Sequence, residues 1–304
     1  MGNQKEFNLK VYFRKNQSQV IANKTGRGSI SINHSKRKSL SSSGPKGSCY
    51  IYLGERGRYC LKNKLNELTG KEWIKFTKSW FVLRPKPREK SVILHPAKFP
   101  EELVERYILF FTKSGQIVLD PMCGTGTVNV ICEKLHRKGI GIELEEKYYK
   151  IAVKRSRQTV ILGDCRNLEK FDLPIVDYIF TSPPYWDSLK RAYIRQAVRK
   201  KRGLDTQYSN NPKNFENITE YEDFVKELVK FYELLWNYIK KNGYMTLVVN
   251  NIYKEGRLFP LAFDLAIRLG RRWVLKDEQI WCQDDKRLIA LGVNNAYVGN
   301  RCHT

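Results

Sequence analysis

The stretch Ser182-Pro183-Pro184-Tyr185 has the residue types of a ligand-binding loop. It follows Val176–Phe180, an apolar run that predicts a buried strand. Two consecutive prolines cannot continue a sheet, so we expect the chain to leave the strand as a rigid, extended loop. The loop carries a hydroxyl and a phenol, the indole of Trp186 follows, and the carbonyls around the prolines are available as acceptors. This combination suits a flat ligand that bears an amino group, such as a nucleobase.

A second group of candidate binding residues lies upstream, at the ends of three further predicted strands. The first strand runs into a loop with two glycines, which allow a tight turn and close approach of the backbone to a ligand. The second strand ends in an acid, where ribose hydroxyls are often bound, and the third in an acid that can accept from an adenine amino group. These residues are Asp120-Pro121-Met122-Cys123-Gly124-Thr125-Gly126-Thr127, Glu143 and Gly163-Asp164-Cys165.

The glycine loop does not match the common phosphate-binding patterns. Asn129 stands where the dinucleotide fingerprint has its third glycine, and no Gly-Lys-Ser/Thr sequence is present. The series therefore indicates a nucleoside ligand without a pyrophosphate.

Strand and helix patterns alternate from Gln116 onward. Strands are predicted at 117–119, 139–142, 160–162, 176–180 and 244–249. Helices are predicted at 101–111, at 128–135, after the second strand through Ala152, and at 221–239. Repeated βα units predict an α/β fold with a doubly wound, mostly parallel sheet. Thr69 opens a short helix, and the aromatic residues Trp73, Phe76, Trp80 and Phe81 are interpreted as core.

The charge of the chain favours a polyanionic partner. The 304 residues include 55 Lys and Arg against 31 Asp and Glu, a net charge of +24. Nucleic acid is the expected partner, and a generally solvated basic surface is the alternative. A basic insert, taken as 188–216, interrupts the βα rhythm, and its candidate nucleic-acid contacts are Lys190, Arg191, Arg195, Arg199, Lys200, Lys201 and Arg202, together with the preceding Trp186. A solvated helix face is the alternative for the insert.

The remaining composition indicates a reduced protein without a metal site. The seven cysteines include no Cys-x-x-Cys pair, so neither a disulfide framework nor a zinc site is indicated. No apolar run has the length of a membrane span, and the N-terminus lacks a signal-peptide core, so we expect a cytoplasmic protein with no membrane partner. Residues 1–66 predict a basic N-terminal extension or small module, with 67–304 as the main domain.

Taken together, these motifs resemble the S-adenosylmethionine-dependent DNA amino-methyltransferases, which modify the exocyclic amine of cytosine or adenine. The glycine loop, Glu143, Asp164 and the Ser182–Tyr185 loop match that family in kind, and His95-Pro96-Ala97-Lys98-Phe99-Pro100 resembles its motif at the methionine end of the cofactor. The resemblance covers about residue 66 to the end. It implies a largely parallel mixed sheet with a reversed strand near the C-terminus, and an order in which the cofactor motifs precede the catalytic loop, as in a permuted arrangement.

The resemblance also implies roles for individual residues. The residues expected to bind the cofactor are His95, Pro96, Lys98, Asp120, Pro121, Met122, Cys123, Gly124, Thr125, Gly126, Thr127, Glu143, Asp164 and Cys165. The residues expected to act in catalysis are Ser182, Pro183, Pro184 and Tyr185. The Ser182 Oγ and the Pro183 carbonyl would accept hydrogen bonds from the amine. Tyr185 would stack on a base flipped out of the duplex, with Trp186 supporting it.

Serine at position 182 resembles the cytosine-N4 subgroup, because adenine-N6 enzymes more often have Asp or Asn there. The expectation is a site-specific cytosine-N4 methyltransferase of double-stranded DNA, paired with a cognate restriction endonuclease without direct contact. Adenine-N6 methylation is the alternative, and an RNA methyltransferase or a silent nucleic-acid-binding relative are further alternatives. Members of the family continue with one more apolar strand after a region that resembles Val298–Arg301, whereas this sequence stops at Thr304. We expect either that the sequence is truncated or that a partner supplies this strand.

Overall fold

The computed structural model describes residues 8–15, 49–84, 86–87, 94–96, 99–186 and 193–282. The strands are β1 (Asn8–Lys15), β2 (Tyr50–Tyr52), β3 (Arg58–Cys60), β4 (Trp80–Val82), β5 (Ile117–Asp120), β6 (Lys138–Glu143), β7 (Thr159–Leu162), β8 (Val176–Thr181), β9 (Ile239–Asn250), β10 (Ile252–Lys254), β11 (Arg257–Phe259) and β12 (Trp273–Cys282). The α-helices are α1 (Gly70–Phe76), α2 (Glu101–Phe111), α3 (Thr127–Lys134), α4 (Glu146–Arg155), α5 (Tyr193–Lys201), α6 (Tyr221–Leu234) and α7 (Leu261–Leu269).

The predicted alternation of strands and helices is confirmed, with one long helix shorter than expected. The helix predicted at 221–239 ends at Leu234, a short 3-10 turn follows, and Ile239 already begins β9. The predicted aromatic stripe also divides, because Trp80 and Phe81 lie in β4 and not on α1. Phe76 is core, with 6% of its surface exposed, whereas Trp80 is 58% exposed, so the interpretation as core is wrong for Trp80.

An eight-stranded sheet forms the centre of the molecule, in the order β4-β12-β1-β9-β8-β5-β6-β7. The pairings of β5 with β6 and β8, of β6 with β7 and of β8 with β9 are parallel, which confirms the mostly parallel sheet. Only β1 runs against its neighbours β9 and β12. Within the described residues the reversed strand therefore comes from the N-terminal end of the chain, and residues 283–304, nearer the C-terminus, lie outside the described part.

The position of β1 also changes the reading of the N-terminal segment. Asn8–Lys15 is hydrogen-bonded on both sides within the main sheet, and Phe13 is fully buried. This strand is thus part of the main domain, so the boundary predicted at residue 66 is wrong for 8–15. Because β1 fills the position between β9 and β12, a further strand cannot pair there.

Helices cover both faces of the sheet, and alternate strand residues pack on opposite sides. On β5, Val118 belongs to a buried cluster with Tyr107 of α2, while Leu119 belongs to a second cluster with Leu228 of α6. Alternation of this kind follows from the two-residue repeat of a strand. Burial on both faces fixes the register of β5 and β8, and so fixes where their carboxyl ends lie.

The sheet has its topological switch point between β5 and β8. From β5 the chain adds β6 and β7 on one side, and then returns to place β8 and β9 on the other. In open α/β sheets, ligands bind outside the carboxyl ends of the strands at such a point. The loops after β5 and β8 meet there.

Candidate active site

The Ser182–Tyr185 loop leaves β8 at the expected point and is fixed at its far end by Trp186. Thr181 is the last strand residue, and residues 182–185 have no regular structure. Trp186 adopts a left-handed backbone conformation with φ of 44°. Its indole N–H donates to the carbonyls of Ile218 and Thr219, both at 3.1 Å, and the side chain is only 4% exposed.

Burial of Trp186 corrects one predicted role. Its ring lies against Tyr221 and Phe259, with the Lys254 ammonium 4.2 Å from the ring centroid. The indole is therefore not available to a nucleic acid, and its prediction as a direct nucleic-acid contact is wrong. Trp186 supports the loop from the core side.

A short hydrogen-bonded series orients the reactive end of the loop. The Tyr185 hydroxyl donates to the Val248 carbonyl at 3.2 Å, and the oxygens of Ser182 and Tyr185 are 3.0 Å apart. A phenol has one proton. When that proton is used on Val248, the Ser182 hydroxyl must be the donor in the bond to Tyr185. Both lone pairs of Ser182 Oγ are then left to accept from a ligand.

The glycine loop after β5 begins at Asp120, which is bonded directly to the strand that carries the Ser182–Tyr185 loop. Asp120 is fully buried, and its Oδ1 accepts from the Thr181 hydroxyl at 2.8 Å and from the Met122 N–H at 3.1 Å. Among the described residues, its Oδ2 is buried without a hydrogen-bond partner. Burial raises the pKa of Asp120 to about 7, although the bonds from Thr181 and Met122 oppose that shift.

The two glycines of the loop leave little room for a side chain. Gly126 has φ of +75°, and a Cβ there would lie 2.9 Å from the Cβ of Ala152. Gly124 has φ of +54°, and a Cβ there would lie 3.3 Å from Nε2 of His95. His95 itself is buried and packs edge-on against Tyr148. The structure thus places His95 beside Gly124 of the glycine loop, while Pro96 is buried next to it in the chain.

Glu143 lies at the end of β6, beside the same loop. Its Oε2 accepts from the Gly124 N–H at 2.8 Å, and its Oε1 accepts from the Glu145 N–H at 2.8 Å. Burial raises the pKa of Glu143 to about 7, and the two backbone bonds act in the opposite direction. A buried carboxylate held by backbone N–H groups can present its remaining lone pairs to ribose hydroxyls.

Asp164, after β7, is paired within the chain. Arg166 donates to its two carboxylate oxygens at 3.0 and 2.7 Å. Burial alone would raise the pKa of Asp164, but the hydrogen bonds and charge of Arg166 bring it below the ordinary value. The ionised carboxylate fits the predicted role as an acceptor.

The other predicted cofactor residues surround these groups. Pro121, Cys123, Thr125, Thr127 and Cys165 are buried, and Met122 is half-buried. Burial raises the pKa of the Cys123 and Cys165 thiols, so neither is suited to act as a nucleophile.

The described residues contain neither a cluster of metal ligands nor a membrane-spanning helix. Across the described ranges, no group of three or more His, Cys, Asp or Glu residues could hold a metal ion. In the same part of the chain, no helix has the length and apolarity needed to cross a bilayer.

Comparison with known sequences decides the family. The profile of the DNA methylase family N6_N4_Mtase matches residues 3–154, half of the 304-residue chain. The chain belongs to this DNA methylase family. The matched segment contains β1 and the loops after β5 and β6, and it ends before the catalytic loop.

Individual relatives match shorter parts of the chain. The Type II methyltransferase M2.DpnII of Streptococcus pneumoniae is 42% identical over 97 residues, 32% of this chain and 34% of that protein. M.HinfI of Haemophilus influenzae is 28% identical over 198 residues, 60% of this chain and 49% of that protein. The matches to the first three relatives span 34%, 31% and 19% of those proteins. Among solved structures, a methyltransferase from Pyrococcus furiosus has a TM-score of 0.37 and 14% identity over 57% of this chain and 72% of that chain.

The site fits S-adenosylmethionine, the methyl donor of DNA methylases. Asp120 Oδ2, at the start of the glycine loop, is a buried acceptor without a partner among the described residues. Gly124 and Gly126 keep the loop close to its neighbours, and Glu143 and Asp164 bring acids to the next two strand ends. The cofactor predicted from the sequence is confirmed for this DNA methylase family.

Part of the predicted nucleic-acid surface can be located. Lys200, Lys201 and Arg202 are exposed at the end of α5, which leaves them open to a phosphate backbone. Arg199 instead donates to the carbonyls of Asp205 and Leu94 at 2.5 and 2.7 Å. Lys98, Lys190, Arg191 and the side chain of Arg195 lie outside the described part of the chain.

Three residues that organise the site were not among the predicted catalytic or cofactor residues. Thr181 joins the two loops, and Asp205 and Tyr208 bring the insert to the cofactor side. Thr181 had a signal, because it lies between the strand and the Ser-Pro-Pro-Tyr loop. Asp205 had only a weak one, as an acid directly after a basic run.

Proposed function

We propose that the protein transfers a methyl group from S-adenosylmethionine to the exocyclic N4 amine of cytosine in double-stranded DNA. The observation that carries this proposal is the bond of 2.8 Å between the Thr181 hydroxyl and Asp120 Oδ1. This bond joins the end of β8, where the acceptor-rich loop begins, to Asp120, where the glycine loop that we propose as the cofactor site begins. Methyl donor and amine can then be held side by side, and such positioning supplies much of the catalysis in a bimolecular reaction.

The loop residues would prepare the amine for reaction. The lone pair of an exocyclic amine is delocalised into the base, so the nitrogen is a poor nucleophile. Ser182 Oγ and the Pro183 carbonyl would each accept one amine hydrogen, which draws the nitrogen toward a tetrahedral shape and localises the lone pair. When bound, S-adenosylmethionine supplies an electrophilic methyl group on its sulfonium.

Tyr185 supports this chemistry in two ways. Its ring can stack on a base that has left the duplex, and its hydroxyl fixes the direction of the Ser182 hydroxyl. Residues Asp120, Glu143 and Asp164, with the glycine loop between Gly124 and Gly126, would hold the cofactor.

Cytosine is the proposed base because position 182 is serine. A neutral hydroxyl is a weaker acceptor than the Asp or Asn side chains that adenine-N6 members more often have there. Adenine N6 is the second candidate, and the name of the matching family includes both amine positions.

The biological setting is proposed from the relatives. Several curated relatives are named Type II methyltransferases. We infer that this chain protects DNA at a specific sequence against a cognate restriction endonuclease, without direct contact between the two enzymes. The net charge of +24 supports a nucleic-acid substrate.

A transfer assay with matched substrates tests the proposal. The protein is incubated with methyl-labelled S-adenosylmethionine and either duplex DNA or duplex RNA of the same sequence. Label is expected in DNA, and Ser182→Ala should lower turnover far more than cofactor affinity. Label in RNA alone, or cofactor binding without any transfer to DNA, would contradict the proposal.

A further inference from the structure

The last part of the basic insert is attached to the turn that follows β6. Asp205 accepts from the Lys147 ammonium at 2.6 and 2.7 Å and from the Tyr148 hydroxyl at 2.9 Å. Four residues later, the Ser209 hydroxyl donates to Glu145 Oε1 at 2.8 Å. These contacts tie the insert to the first turn of α4.

The same turn holds the acid that would bind the cofactor ribose. The Glu145 N–H donates to Glu143 Oε1, so the backbone of the attachment point also positions the Glu143 carboxyl. Glu143 in turn accepts from Gly124 of the glycine loop. Residues 143–148 therefore contact the insert on one side and the cofactor loop on the other.

A second attachment joins the insert to the segment that contains His95. Arg199 Nη2 donates to the Leu94 carbonyl at 2.7 Å, and the ring of Tyr208 lies 5.2 Å from the ring of His95. His95 is the residue whose Nε2 lies beside Gly124. Two separate cofactor segments thus hold the insert.

The exposed cations of α5 lie next to these attachments. Lys200 lines an open groove of about 500 Å³ together with Lys147, Asp205 and Tyr208. Lys201 and Arg202 follow directly and are exposed. Arg199, the residue before Lys200, is bonded to the backbone carbonyls of Asp205 and Leu94, so these cations adjoin the attachment.

We propose that Asp205 is a positioning residue that couples the two substrates: it holds the basic end of α5 against the cofactor turn, so that bound cofactor strengthens DNA binding. The proposal rests on the proposed function, since it assumes S-adenosylmethionine in the loop and DNA on the insert. A cofactor that orders residues 143–148 also orders the place where Asp205 attaches. DNA then meets cations that are already positioned, and less conformational entropy is lost when it binds.

The coupling is reciprocal and has a measurable size. If cofactor tightens DNA binding by some factor, DNA must tighten cofactor binding by the same factor. Couplings between sites are typically about 5- to 150-fold. We expect the lower part of that range, because the attachment consists of a few polar contacts on a partly exposed surface.

Charge alone makes the opposite prediction for an Asp205 variant. Asp205→Ala removes a negative charge beside a basic surface, which by electrostatics should strengthen binding to any DNA. The coupling instead predicts weaker DNA binding when cofactor is present, because the cations lose their fixed position. The direction of the change separates the two explanations.

The test measures the affinity of the full chain for a labelled random-sequence DNA duplex, by fluorescence anisotropy, with and without S-adenosylhomocysteine. This cofactor analogue, the demethylated product, has no methyl group to donate, so no turnover interferes. In the wild type, the analogue should tighten DNA binding about fivefold or more. That ratio should fall toward one in Asp205→Ala and also decrease in Ser209→Ala, a milder change at the second contact. The exposed Asp172, on the loop before β8, provides the matched control Asp172→Ala, which should keep the wild-type ratio.

Two outcomes overturn the coupling: a wild-type ratio of one, which needs no variant, or an unchanged ratio in both Asp205→Ala and Ser209→Ala. Calorimetric titration of the wild type with S-adenosylhomocysteine alone separates this failure from failure of the proposed function. Absence of analogue binding contradicts the proposed function and the coupling together. Normal binding of analogue and DNA with a ratio of one contradicts the coupling alone.

Discussion

The Tyr185→Phe substitution isolates the contribution of one hydroxyl to catalysis. The ring that would stack on the base is kept, whereas the bonds from that hydroxyl to Val248, at 3.2 Å, and to Ser182, at 3.0 Å, are lost. Ser182 can then rotate its proton toward the base amine, where an acceptor is needed. We therefore expect slower methyl transfer at nearly unchanged DNA affinity.

The size of the effect follows from the bond that orients Ser182. A neutral hydrogen bond contributes about 0.5–1.5 kcal/mol net. If that bond is needed only to direct the serine proton, its loss slows transfer by roughly 2- to 13-fold. Tyr185→Ala removes the ring as well, and base–aromatic stacking is worth about 1–3 kcal/mol per base, so this variant should lose DNA affinity in addition.

Single-turnover transfer with labelled cofactor measures this step without product release. Tyr178→Phe is the matched control, since its buried hydroxyl is bonded to Thr246 in the core at 2.6 Å and not to the loop. The control should lose stability but keep the transfer rate. An unchanged rate in Tyr185→Phe would refute the role of the hydroxyl, and a loss of DNA affinity equal to that of Tyr185→Ala would show that the ring alone does not provide the stacking.

Three further predictions concern the cofactor loop and the sheet. Burial raises the pKa of Glu143 to about 7, so the carboxyl group ionises as the pH rises through that value. Cofactor affinity, measured by calorimetry, should increase with this ionisation by at most about tenfold per pH unit. Glu143→Gln should flatten the pH profile of the affinity. The folded protein holds this proton to a higher pH than the unfolded chain, so thermal stability without cofactor should fall between about pH 4.5 and 7. Gly126→Ala should lower the free energy of unfolding by roughly 2–5 kcal/mol, because the new Cβ combines a left-handed backbone with a contact of 2.9 Å to Ala152. Gly115→Ala is the control: Gly115 has φ of +81° but open space around it, so only the backbone cost of about 1–2 kcal/mol is expected. Denaturant unfolding measures both. Phe13→Ala should cost about 3–5 kcal/mol in one cooperative transition of the whole domain, and a separate transition of the N-terminal segment would contradict the placement of β1.

The parts of the site that the sequence could predict are those with local signals. Gly124, Gly126 and the prolines at 183 and 184 restrict the backbone in ways that can be read residue by residue. Apolar runs place Asp120, Glu143 and Asp164 at strand ends, and parallel strands bring their carboxyl ends to one edge. The family resemblance then connects these positions to a cofactor and a base.

The parts that the sequence could not predict depend on contacts between distant segments. β1 lies between β9 and β12, more than 200 residues away along the chain, and its alternating pattern is the same for an isolated hairpin as for a central strand. The sequence alone does not show whether the indole of Trp186 faces solvent or the core. In the folded protein its bonds to the carbonyls of Ile218 and Thr219 hold it in the core. The pairing of Asp205 with Lys147 likewise requires the folded position of α4.

Identification of the methylated nucleoside tests the central claim most directly. Duplex DNA treated with the protein and S-adenosylmethionine is digested to nucleosides and analysed by mass spectrometry, with Ser182→Ala as the inactive control. N4-methylcytosine is expected in the wild-type sample, and little of it in the control. N6-methyladenine would contradict the choice of base that rests on Ser182, and equal yield from the wild type and Ser182→Ala would contradict the role of the Ser-Pro-Pro-Tyr loop itself.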